Sequence, residues 1–162
     1  MTDLNVLVAR PPQEIMDQAA TAAPGVVTLA HCGHYVGLAY QEGVFDCADL
    51  TALVLREQFG KKLSLPPHAA RPRGVAGQRR EMLALSAQLG VRLAQPVHGC
   101  VVLMQSPVLD TGAMGWHMGL VLVEAGAMWV LHNTRRMGGV VLQQLADLQR
   151  MGTQAEGYYA CL

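Results

Sequence analysis

The sequence changes texture near Val97, and that change constrains the fold more than any other feature. After it come short β-rich runs, Val101–Met104, Met118–Val123, Met128–Leu131 and Val140–Leu142, separated by Gly, Pro and Asp turns. Before it the patterns are helical. The clearest is Cys47–Phe59, where Leu50, Leu53, Val54 and Leu55 supply an apolar face and Gly60 stands at the C-terminal cap position. Val75–Leu89, closed by Gly90, repeats the 3.6-residue pattern. Pro11-Pro12 predicts a helix over Gln13–Ala23 that Pro24-Gly25 ends. Val26–Leu38 is ambiguous, with helix expected for part of it, and Lys61–Gly74 is an aperiodic crossing that holds Pro66, Pro67 and Pro72. A helical piece near Gln143–Arg150 precedes a last strand at Tyr158–Leu162. Helices first and antiparallel strands second make an α+β pattern, not a βαβ repeat. With 162 residues and no internal repeat, one domain over 1–162 is expected, its first thirty residues uninformative.

Composition narrows the function. The chain is 51% hydrophobic and 15% charged, which excludes disorder, collagen and coiled coil. Lys plus Arg and Asp plus Glu each number 12, so no net positive charge exists to neutralise phosphates, and 5% aromatics make a poor base-stacking platform. No nucleic-acid partner is expected. Apolar runs such as Met118–Val123 and Met128–Leu131 are broken by Glu124, Gly126 and His132, well short of the ~20 residues a membrane helix needs. Met1-Thr2-Asp3-Leu4-Asn5 lacks a basic leader and Pro11-Pro12 interrupts any apolar one, so cytoplasmic synthesis is expected. Cys32, Cys47, Cys100 and Cys161 show no C-x-x-C pair and are expected as thiols.

The chemistry-bearing stretch runs from Gly37 through Tyr40, Gly43, Asp46 and Cys47 to Leu50, and it puts a cysteine on the first turn of a helix. Unpaired N–H groups and the positive helix end favour a thiolate there, lowering its pKa from about 8.5 towards ~3.5–7.5. Asp46 fits the capping position before it. A buried structural cysteine that merely begins a helix is the plainer alternative.

A nucleophilic thiol needs a base and a group that orients the base. His117 opens the run His117–Val123, and His132 closes Met128–His132. If the turn centres on Ala125-Gly126, Val123 faces Met128 and His132 faces Gly119. His132 is then diagonal to His117 on one sheet face, with Gly119 leaving room between the rings. Asn133 is the rival orienting residue, and hairpin register decides between them.

These residues resemble the NlpC family of papain-like cysteine peptidases, which cleave bacterial cell-wall peptides. The family pattern is a tyrosine-containing loop, an Asp-Cys-Ser-Gly-Leu helix start, a His-x-Gly-hydrophobic strand and a polar residue on the next strand. Here Tyr40, Asp46-Cys47-Ala48-Asp49-Leu50, His117-Met118-Gly119-Leu120 and His132 are similar to it. The stretch Tyr35–Tyr40 through Phe45–Cys47 to Arg56–Gly60 is most similar to versions in phage and prophage tail modules. The resemblance implies a papain-like domain with N-terminal helices packed on an antiparallel sheet. It implies Cys47 as nucleophile, His117 as base and His132 as orienting residue, with Tyr40 and Asp46 contributing to substrate or oxyanion binding. It implies a peptidoglycan stem peptide as substrate, phage tail proteins as partners, delivery to the wall by tail particle, lysis or another export route, and no metal or organic cofactor. An amidase or acyltransferase on the same scaffold, or a tail-assembly protein with a vestigial site, are the alternatives.

Ala48 and Asp49 depart from the family's Ser and Gly, and Gly99-Cys100 stands where Gly-Asp commonly opens the first core strand. In cell-wall members the Asp-Cys-Ser segment helps hold the substrate's free amine, so loss of the Ser hydroxyl alters that subsite. Outside the match, His31-Cys32-x-His34 has no second pair at zinc spacing. Arg71, Arg73, Arg79 and Arg80 form a basic cluster expected to be solvated or to meet acidic substrate groups, and Trp116 either walls the cleft or packs.

Overall fold

The computed structural model describes residues 26–72, 74–108 and 111–160. The helix expected over Gln13–Ala23 with its Pro24-Gly25 stop, together with Arg73, Cys161 and Leu162, lies outside the described residues. Three helices come first: α1 (Leu29–Cys32), α2 (Cys47–Phe59) and α3 (Val75–Leu89). Strands β1 (Val91–Leu93), β2 (Val101–Pro107), β3 (Met114–Glu124), β4 (Ala127–Thr134), β5 (Gly139–Gln144) and β6 (Gln154–Ala160) follow, with α4 (Leu145–Arg150) before the last. All six join one antiparallel sheet in the order β1-β6-β2-β3-β4-β5. The architecture is α+β.

Helices α2 and α3 have the bounds their periodicity predicts. In α2, Leu50, Leu53, Val54 and Leu55 are buried, and Gly60 ends the helix in the left-handed conformation, φ 64°. In α3 the buried residues are Met82, Leu85 and Leu89, one per turn on one stripe. Two expectations need correction. Gln143 belongs to β5, not to a helix, because helical backbone begins only at Leu145. The three-residue β1 was not expected, being too short to show alternation beyond the α3 cap.

Alternation along the sheet separates two cores. Leu103, Met118, Leu120, Leu122 and Leu131 face α2 and α3, while Val102, Met104, Val121 and Val130 face Leu145 and Leu148 of α4. Each fully buried side chain of this size stabilises the fold by about 1.5–3 kcal/mol before entropy is counted. The β3–β4 hairpin turns on Ala125 and Gly126, both at positive φ (51° and 76°), which suits a two-residue turn whose twist matches the strands. Val123 therefore pairs with Met128, the register expected from the sequence.

The segment before α2 is zipped onto the start of β5. Gly37 N–H donates to Val140 O at 2.9 Å, Val140 N–H to Leu38 O at 2.8 Å and Tyr40 N–H to Gly138 O at 2.9 Å. Glycine is required at 139, because a Cβ there would collide with the Leu38 carbonyl. Asn133, buried in β4, donates its side-chain N–H to Phe45 O at 3.0 Å, pinning the chain just before the helix start.

Candidate functional site

Asp46 and Asp49 close the N-terminus of α2 reciprocally. Asp46 Oδ1 accepts from the Ala48 and Asp49 N–H groups (2.8 and 3.2 Å), and Asp49 Oδ2 accepts from the Asp46 N–H at 2.9 Å. This is a capping box with aspartate at both ends. Asp49 thus has a structural reason for standing where the resembling family has glycine. Among the described residues, no group accepts from the N–H of Cys47 itself.

Cys47 is the first residue of α2 and is half-buried. The expectation of a lowered thiol pKa is overturned. Burial pushes Cys47 up to about 12 and the Asp46 charge adds to the rise, while the Met118 and Ala48 N–H groups pull against it. Two carboxylates already answer the positive end of the helix dipole, so little of it is left to stabilise a thiolate. The resting sulfur is a protonated thiol. No disulfide joins Cys32, Cys47 or Cys100, and burial raises the Cys32 thiol to about 11.

His117 and His132 meet as the hairpin register requires. His117 Nε2 lies 2.7 Å from His132 Nδ1, and the rings approach edge to face with centroids 4.9 Å apart. Gly119 makes this possible, since a Cβ there would lie 2.6 Å from Val130 Cγ1 and 3.1 Å from His132 Cβ. His132 is 3% exposed and its Nε2 lies 2.9 Å from Gln143 Oε1. Burial lowers His132 to about 4 against the opposing pull of Gln143, and burial with the His132 charge holds His117 well below its ordinary value. Both rings are neutral near pH 7. Asn133 points to the other sheet face and holds Phe45, so His132, not Asn133, partners His117.

By alternation the two imidazoles share the face of Met104 and Val130, whereas α2 packs on the opposite face. The Met118 N–H, on the residue after His117 and beyond the point where the β3–β4 ladder stops at Leu120 and Leu131, favours the Cys47 thiolate against its burial. No hydrogen bond joins the thiol to either ring among the described residues. Tyr40 is half-buried beside the thiol, and burial followed by the charges of Asp46 and Cys47 raises its phenol.

The aperiodic crossing supplies His68, which sequence reading missed, and Arg71, which it named only within a basic cluster. Arg71 donates through Nη1 to Asp46 Oδ2 (2.8 Å) and Asp49 Oδ2 (3.0 Å), through Nη2 to Asp49 Oδ1 (2.7 Å) and through Nε to Pro66 O (3.0 Å). His68 Nε2 lies 3.0 Å from Asp49 Oδ2. Against burial that would raise it, the Arg71 hydrogen bonds hold Asp49 below the ordinary carboxylate value; burial, then the Asp49 charge, raise Asp46. The expected solvated basic cluster is corrected for Arg71, whose side chain is 11% exposed, while Arg79 and Arg80 are exposed as expected. Asp46, Asp49 and His68 have ligand atoms within 4.8 Å of one another, but the guanidinium already supplies the cation they face. Elsewhere, Cys32 is buried between exposed His31 and His34, and Trp116 packs in the core.

A capping-box reading of Asp46-x-x-Asp49 was open to sequence inspection. His68 carried no such signal, while Gln143 was read only as the start of a helix and Arg71 only as part of a basic cluster. Comparisons with family models, with curated proteins and with solved structures return no match for this chain.

Proposed function

We propose that this protein is a papain-like cysteine peptidase of the NlpC type that hydrolyses peptide bonds in bacterial peptidoglycan stem peptides. The observation that carries this reading is the His117–His132 contact at 2.7 Å, with the helix-start Cys47 thiolate favoured by the Met118 N–H, one residue from His117. Cys47 Sγ attacks the scissile carbonyl as its proton passes to His117 Nδ1, the nitrogen not used by His132. Because thiol and imidazole rest neutral, proton transfer accompanies attack instead of preceding it. The Cys47 N–H, unclaimed by Asp46, faces the developing oxyanion, with the Tyr40 hydroxyl as second donor. His117 returns the proton to the leaving amine, and water then cleaves the thioester.

The test is digestion of whole peptidoglycan and isolated stem peptides, with fragments identified by mass spectrometry. Cys47→Ala should abolish cleavage and move stability by less than about 1 kcal/mol, because a half-buried sulfur leaves little cavity. Undiminished cleavage by that variant would refute the nucleophile.

The raised thiol and the occupied Asp46 favour one second reading, a phage tail-assembly protein with a vestigial site. A peptidyl electrophile separates the two. It labels Cys47 in a peptidase at a rate that His117→Ala lowers, and in a vestigial site at a rate that His117→Ala leaves unchanged.

A further inference from the structure

Two histidines in contact can share their proton in either of two senses, and only one leaves the outer ring able to accept a proton from a thiol. If His132 carries its proton on Nδ1, it donates to His117 Nε2, and His117 must then carry its own proton on Nδ1. If His132 carries it on Nε2, its Nδ1 accepts from His117 Nε2–H, and His117 Nδ1 is a free lone pair. What lies behind His132 decides between them.

That group is Gln143. Its Oε1, which can only accept, lies 2.9 Å from His132 Nε2. Gln143 stands opposite Val130 in the β4–β5 ladder, and Val130 shares a sheet face with His132 two residues on, so the contact is a cross-strand diagonal fixed by register. His132 is 3% exposed, which leaves water little access to replace the bond. We propose that Gln143 is a positioning residue that sets the tautomer of His132 and thereby makes His117 Nδ1 the proton acceptor of the site. The inference rests on the peptidase reading for its consequence, while the tautomer itself does not.

The test therefore has two readouts. Long-range 1H–15N correlation on 15N-histidine-labelled protein at pH 7 reports which nitrogen of each ring is protonated. The expected pattern is His132 protonated on Nε2 and His117 on Nε2. In Gln143→Leu, His132 should become a tautomer mixture and kcat should fall roughly ten- to a hundred-fold with KM little changed, the range typical when the partner behind a metal-binding histidine is removed. Gln143→Glu keeps an acceptor, so it should restore the single tautomer and move the acid limb of the pH–rate profile upward. Wild-type His132 protonated on Nδ1 overturns the proposal, as do ring tautomers that Gln143→Leu leaves unchanged. If Gln143→Leu does not fold, the wild-type tautomers and the Gln143→Glu profile still decide. If wild type cleaves no substrate, the peptidase reading falls while the tautomers still decide the role of Gln143.

Discussion

Arg71 Nη1 lies 2.8 Å from Asp46 Oδ2, so the carboxylate next to Cys47 is met by a cation from the protein's own chain. Its other oxygen caps α2. Neither oxygen is left for a substrate amine unless Arg71 withdraws. Arg71→Leu should therefore increase the preference for stem peptides with a free amino terminus, read as the ratio of cleavage rates for free and acetylated substrates. The same variant should lose about 3 kcal/mol in urea unfolding, the low end for removing one partner of a buried ion pair.

The Asp46 charge also bears on the thiol, since it adds to the rise that burial imposes on Cys47. Asp46→Asn keeps a good N-cap and removes the charge. Iodoacetamide should then alkylate Cys47 several-fold faster at pH 9 than in wild type, with Cys32 and Cys100 unchanged as internal references. An unchanged Cys47 rate would show that burial alone sets this thiol.

His132 titrates at about 4 in the fold, against an ordinary 6.5. The unfolded chain binds the proton first as pH drops, so stability rises with pH between these values and is lost on acidification through them. Between pH 7 and pH 4 this single group should cost about 3 kcal/mol of unfolding free energy. His117, also lowered, adds to the loss. Denaturant midpoints should fall as pH drops across that range, and His132→Gln should flatten that fall.

Gly119→Ala places a methyl against Val130 Cγ1 and the Leu131 carbonyl, with His132 Cβ close behind. The strands must spread, at a cost of about 1–3 kcal/mol. The imidazole pair should separate as they do, with turnover lost more completely than stability. Nuclear Overhauser contacts between the two rings would report the separation directly.

The readable parts of this fold were those governed by local rules. The bounds of α2 follow from Asp46, the apolar stripe and Gly60, and the His117–His132 contact follows from a turn on Ala125-Gly126, one of two registers the sequence left open. Gln143 was hidden because the β4–β5 connection passes through a short 3-10 turn at Arg135–Met137, whose length does not fix the next register. Arg71 was hidden for a different reason. It sits 22 residues beyond Asp49 in a segment without periodicity, and only tertiary packing brings it back. The thiol pKa was misjudged because a helix start was weighed without the burial of its sulfur, to which the Asp46 charge adds.

His132 and Asn133 are consecutive, and their side chains leave β4 on opposite faces: one supports the imidazole chain, the other holds the carbonyl of Phe45 ahead of Cys47. Base and nucleophile are thus indexed to the same strand by neighbouring letters of the sequence. Inserting or deleting one residue in the β3–β4 turn would exchange their directions and disable both halves together. Drift in that turn offers no graded route to a weaker site. Keeping that turn at two residues keeps the imidazole pair and the anchor of Phe45 together.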